Sequence, residues 1–166
     1  MNQPELDPRA RDFAFLLGTW DVRHRRLRDR LVGSEDWDTF DGTAACREVL
    51  DGVGNVDEIW MPSRGVVGMT VRLFDRQTAL WSLHWASSAT GVFEPPVVGG
   101  FDAGVGLFYG DDVHAGRSIR VRFRWDNITR RTARWQQAFS TDDERTWETN
   151  WIMELTRTMP DQGATS

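Results

Sequence analysis

The 166-residue chain contains one cysteine, three histidines and no lysine; all 20 of its basic residues are arginine. Cys46, being alone, cannot form an internal disulfide and fits a reducing, cytoplasmic compartment. Without a side-chain amine the chain can build neither a Schiff base nor a phosphate-loop lysine. The all-arginine basic set reads as genome composition rather than as function. No apolar run approaches the length of a spanning helix, and residues 1–12 are polar and mixed in charge, so no secretory signal is visible. Also missing are a Gly-x-Ser-x-Gly elbow, a phosphate loop and a dinucleotide fingerprint, which leaves the common enzyme classes without support. The net charge of -5 withholds the attraction that nucleic-acid binding draws on.

What the chain has in quantity is aromatic surface: nine Trp and nine Phe, large stiff groups that must be buried or occupied. Its length suits a single domain, expected over residues 1–158, with a frayed tail at 159–166. Asp7-Pro8 reads as a helix cap followed by a first-turn proline, with Phe13, Leu16 and Leu17 on one face and Gly18 as the stop. The predicted element is a short helix plugging one end of the molecule. From Trp20 onward the period is two. About nine strands are predicted, at 19–31, 39–50, 55–61, 65–75, 80–86, 98–109, 118–127, 131–140 and 147–157, with 110–116 among the connections. Most connections are too short for crossovers, so neighbours should run antiparallel. The alternation is clearest where Ile119, Val121, Phe123 and Trp125 interleave with Arg120, Arg122, Arg124 and Asp126. Strands with one apolar face each can close on themselves and lose their edges, so the expected fold is all-β, a closed antiparallel up-and-down barrel. A two-sheet sandwich remains the alternative.

The segment Phe15-Leu16-Leu17-Gly18-Thr19-Trp20, a short helix running into Gly-x-Trp, resembles the opening of lipocalins and their calycin relatives. The resemblance implies that Trp20 closes the barrel floor and that Arg157, in Leu155-Thr156-Arg157, packs across it. A guanidinium over a shielded indole is physically sound. More closely, the chain resembles a bacterial family of lipocalin-like domains of unassigned function, through Gly54-Asn55-Val56-Asp57-Glu58, Gly110-Asp111-Asp112 and residues 147–153. Nitrobindin, a haem-binding barrel of similar size, is a more distant relative, as are fatty-acid-binding-like barrels. The nitrobindin iron ligand is a His near the C-terminal end, whereas 131–157 contain none, so no haem or other cofactor is expected.

Candidate site residues follow from strand parity. Trp125, Trp135 and Trp151 lie on consecutive strands with inward parity, joined by Trp60 and Trp85, and with Gln137 and Thr149 as polar elements. Such walls suit a flat or greasy metabolite; the bland alternative is a barrel filled by its own indoles. The connection 87–97 is the candidate flap, with Phe93 covering the occupant. Asp57 and Glu58 point to opposite faces, so only one can enter; Glu58 shares parity with Val56 and Trp60 and is the choice, with an outward, salt-bridged Glu58 as the alternative. His24 and His84 are the other candidate acid-base groups, each with a structural reading beside the catalytic one. Asp111, Asp112 and His114 are read as a hydrogen-bonded turn in preference to a cation grip, and no metal site is expected. The Arg23, Arg25, Arg26, Arg28 and Arg30 cluster could meet an anion, but the acidic residues after it favour a solvated mixed-charge strand pair. The leading function is binding of a small hydrophobic or aromatic molecule. The alternative is a cofactor-independent isomerase, cyclase or hydrolase working in the same cavity through His24, Glu58 or His84. Oligomeric state stays open, a homodimer included.

Overall fold

Ten segments of two-residue period pair edge to edge in the computed structural model, which describes residues 5–158. They are β1 (Gly18–Leu27), β2 (Trp37–Val49), β3 (Gly54–Met61), β4 (Val66–Asp75), β5 (Leu80–Ser87), β6 (Val97–Asp102), β7 (Val105–His114), β8 (Arg117–Asp126), β9 (Thr132–Ser140) and β10 (Glu148–Arg157). Each strand pairs antiparallel with its chain neighbours, and β1 also pairs with β10, closing the ring into an up-and-down barrel. Closure leaves no unpaired edge, which is the usual hazard of an open sheet.

The expected ninefold count becomes ten because the span drawn at 98–109 is a hairpin. Ala103 and Gly104 form its two-residue turn with φ of 49° and 78°. This is the twist-matched hairpin geometry, signalled weakly here because Ala stands where Asn or Asp is usual. The second correction follows from the first. β7 runs on to His114, so Asp111, Asp112 and His114 belong to a strand, and the turn after them is Ala115-Gly116 alone. The predicted N-terminal helix is a pair of 3-10 turns, Pro8–Arg11 and Ala14–Leu16; Asp7 caps the first by accepting the Arg9 backbone N–H at 2.9 Å. The expected tail at 159–166 lies outside the described residues. Among the described residues no helix is long and apolar enough to cross a membrane.

Even-numbered connections from β2–β3 to β8–β9 gather at the end where the 3-10 turns lie, and that end is the floor. Trp20 is fully buried there; its indole N–H donates to the Leu16 carbonyl at 2.8 Å. The Arg157 guanidinium lies 4.2 Å above the Trp20 ring and donates to the carbonyls of Leu17 and Phe15 at 2.6 Å each. One cation thus satisfies carbonyls that the short 3-10 turn leaves unpaired, while the indole face shields it from water. Phe13 enters from the same turns and meets Trp81 and Phe101 edge-on at 5.0 Å and Phe108 at 5.5 Å. Aromatic pairs of this kind add about 0.5–1.5 kcal/mol each beyond the area they bury. The Trp81 N–H donates to the Arg9 carbonyl at 3.1 Å, fastening the N-terminal segment across the floor.

Candidate functional site

Above that floor the barrel holds a cavity of about 170 Å³ that reaches the opposite end, where the 28–36, 88–96 and 141–147 connections converge. Trp85, Trp125, Trp135, Gln137 and Trp151 are in its wall, with Leu83, Val121, Phe139 and Met153. Trp151 is the hub. Trp135 meets it edge-on at 5.4 Å and Trp85 at 5.8 Å, with interplanar angles of 86° and 90°. Its N–H donates to His24 Nδ1 at 3.1 Å, and the Arg26 guanidinium lies 4.6 Å over its ring. An indole held by three rings and a cation has little rotational freedom, so this wall is set before any molecule arrives.

Local backbone devices aim these rings. The register between β9 and β10 slips at Asn150, so that Thr149 faces Ala138 and Trp151 faces Gln137. A bulge of this kind turns two successive side chains to one side. Asn150 and Trp151 are accordingly both buried, and Gln137 donates to Asn150 Oδ1 at 2.8 Å. The same slip corrects the inward reading of Thr149, which is outside the cavity wall; Trp147 instead packs against Tyr109 and under Arg122 on the outer surface. Trp85 owes its place to Gly68 on β4, because any Cβ there would run into the six-membered ring of Trp85.

Several expected cavity groups lie elsewhere. Glu58 and Trp60 point outward, Trp60 being 37% exposed, and the inward side chains of β3 are Asn55, Asp57, Ile59 and Met61. The correction has a physical cause on β4. Arg72 faces inward and ion-pairs with Asp57 at 2.6 Å, while Asp57 also accepts the Thr70 N–H and Arg72 donates to Asn55 Oδ1 at 3.0 Å. A buried cation needs that carboxylate, and Glu58, one residue on, projects to the other face. Arg72 also lies 5.2 Å from the Phe13 ring and 5.7 Å from that of Trp125, closing the cavity bottom.

Phe93, expected over the mouth, is 55% exposed and packs edge-on against His84; Glu94 and Pro95 are the residues of this connection that line the cavity. His84 stands on the outer face of β5, its Nε2 3.0 Å from the Ser82 hydroxyl, and does not line the cavity. Nor does His24, which is fully buried and stacked on Phe40 at 4.5 Å. Because an indole N–H can only donate, Nδ1 of His24 is the acceptor and the proton sits on Nε2. Burial first, then the neighbouring Arg26, pull His24 down to about 4, so the ring is neutral at physiological pH. Burial likewise pushes the Cys46 thiol up to about 11, which makes it a poor nucleophile although it lines the cavity. Among the described residues no group of three His, Cys, Asp or Glu could hold a metal ion.

Among the cavity residues that the sequence reading did not place in the wall are Arg26 and Arg30, at the mouth. Arg26 shares parity with Trp20, Val22 and His24, and that signal was present on β1. Arg30 lies in the loop after β1, where parity has no meaning. Burial, and then Arg26, lower Arg30 to about 10. On the facing rim, partial burial and the nearby Asp112 raise the Glu94 carboxyl, although much of that side chain meets solvent.

No family model matches the chain, and no curated protein does. Among solved structures it is similar in fold to the S-type phycobiliprotein lyase CPES from Guillardia theta, with a TM-score of 0.56 over 89% of this chain and 91% of that one, at 11% identity. The two share a lipocalin-like barrel fold; at so low an identity the likeness reaches no further than the fold.

Proposed function

We propose that this barrel is a binding module for a small hydrophobic or aromatic molecule, held in the indole-lined cavity. The observation that carries the reading is the wall formed by Trp85, Trp135 and Trp151, in which the rings of Trp85 and Trp135 each stand perpendicular to that of Trp151 and so offer both faces and edges to a flat occupant. Size narrows the class. A cavity of about 170 Å³ falls below the roughly 300–1,000 Å³ usual for drug-sized ligands and near the ~150 Å³ apolar cavity that accepts benzene, which favours one or two fused rings. A similar fold in a phycobiliprotein lyase is in keeping with a ligand-holding barrel. Binding is preferred to catalysis because His24, Glu58 and His84, the acid-base candidates, are all outside the cavity wall.

The test is calorimetric titration with 2-naphthamide, a neutral two-ring probe. Saturable one-to-one binding is expected, weakened on the order of tenfold or more by Trp135→Ala, which removes one wall. Absence of saturable binding, or indifference to Trp135→Ala, overturns the reading.

A further inference from the structure

β1 and the loop after it carry five arginines between positions 23 and 30, and their environments divide them. Arg23 is matched by Asp41 at 2.8 Å, and Arg28 by Asp36 and Asp38 at 3.3 and 3.4 Å. Arg25 lies over the outer indole of Trp37. Arg26 and Arg30 differ from these. Both line the inner cavity and also the open groove of about 660 Å³ that continues it past Phe40, Met61 and Val66. Each guanidinium rests against a cavity-wall ring, Arg26 at 4.6 Å from Trp151 and Arg30 at 5.4 Å from Phe139. Among the described residues neither forms an ion pair, and Nη2 of Arg30 is buried without a hydrogen-bond partner.

We propose that the occupant of this cavity is an amphiphilic anion, its rings among the indoles and its carboxylate held by Arg26 and Arg30 at the mouth. The proposal rests on the binding reading above and adds the charge of the ligand and the end at which it is held. Two like charges brought to one rim, one of them partly buried, repel each other, and an anion there relieves both the repulsion and the unmet donor. Guanidinium suits the task because its fixed fork matches a carboxylate in two parallel hydrogen bonds.

Of the acidic groups near this rim, Asp38 and Glu148 are engaged elsewhere. Asp38 is bound by Arg64, whose Nε donates to it at 2.9 Å, and by Arg28. Glu148 accepts the Leu31 N–H at 2.8 Å. Glu94 and Asp112 also line the mouth; burial, then Asp112, disfavour ionisation of Glu94 against the weaker pull of Arg30 and Arg26. His114, on the same rim, lies tilted against Phe139 at 5.6 Å. The competing expectation, a cationic ligand drawn to Glu94 and Asp112, is therefore the one to exclude by measurement.

Three probes of one ring system separate the cases: 2-naphthoate, 2-naphthamide and 2-naphthylmethylamine, titrated calorimetrically at low salt. The acid is expected to bind at least about tenfold more tightly than the amide, the amine least tightly, and the acid's advantage should shrink as salt rises. Arg26→Gln/Arg30→Gln should abolish that advantage, bringing the affinities of acid and amide within about threefold of each other, and an unchanged circular dichroism melt verifies folding. If the double variant does not fold, the ranking and salt dependence of the three probes on the native protein decide alone. Equal binding of acid and amide, tightest binding of the amine, or an advantage that survives the double substitution each overturns the anion proposal and leaves the binding reading standing. Failure of all three probes to bind overturns both.

Discussion

Asp57→Asn is the most informative single change in this barrel, because it removes one charge and almost no volume from the buried pair under the cavity. Asp57 and Arg72 expose 5% and 3% of their side chains, so water screens neither. In the native protein Arg72 spends one terminal nitrogen on Asp57 at 2.6 Å and the other on Asn55 at 3.0 Å. With Asn at position 57 the Thr70 N–H keeps an acceptor, and the cation keeps two aromatic faces but no carboxylate. Stranding a buried charge in this way typically costs about 3–5 kcal/mol, several times the ~1 kcal/mol of an ordinary hydrogen bond. For a domain of this size each kcal/mol moves Tm by roughly 2–4 °C, so a fall on the order of 10 °C is expected. Adding Arg72→Met removes the stranded charge, and the double variant should recover most of the loss, since buried pairs exchange for apolar groups with little penalty. Thermal melts and urea titrations of the four proteins of the cycle supply the comparison, with an unchanged m-value checking that the same surface unfolds. The reasoning is refuted if Asp57→Asn lies within about 1 kcal/mol of the native protein, or if the double variant is no more stable than the single one.

Gly68→Ala would force the Trp85 ring off its bed on β4 and into the bore; calorimetry with 2-naphthamide should show affinity falling several-fold or more, with the Trp85 environment changed in fluorescence. His24 supplies a pH dependence of definite sign. Its ring takes a proton below about 6.5 in the unfolded chain but only near 4 in the folded one, so its contribution to stability is complete above pH 6.5 and lost as pH falls toward 4. The full swing is ~3 kcal/mol. Urea midpoints of native protein and His24→Gln, compared at intervals from pH 7 to 4, should converge progressively across that window, and parallel curves would remove the argument.

Where a residue's position depended on period alone, the amino-acid sequence sufficed. The alternation through 119–126, the Asp7-Pro8 cap and the short connections together imply an antiparallel all-β chain, and the structure closes it into a barrel. Inward placement of Trp125, Trp135 and Trp151 follows from the same alternation within β8, β9 and β10. Parity loses its meaning wherever the strand slips or its anchor is misjudged. On β10 the bulge at Asn150 turned Thr149 away, and on β3 two apolar neighbours, Val56 and Trp60, served as anchors although they face out.

The side that β3 presents to the core was decided across the sheet rather than along it. Arg72 is buried on β4, its charge requires a carboxylate within reach, and Asp57, diagonal to it beside the directly opposed Asn55, supplies one. Period-two reading of one strand contains no information about such a cross-strand demand. The hairpin at Ala103-Gly104 is a local feature with a weak residue signal. Arg26 and Arg30 depend on the whole ring: their charges matter because barrel closure sets one rim against another and leaves those two guanidiniums beside the cavity. Local chemistry thus determined the pleat and the aromatic stock of this protein, whereas long-range pairing of charge and register decided which side chains face the space inside it.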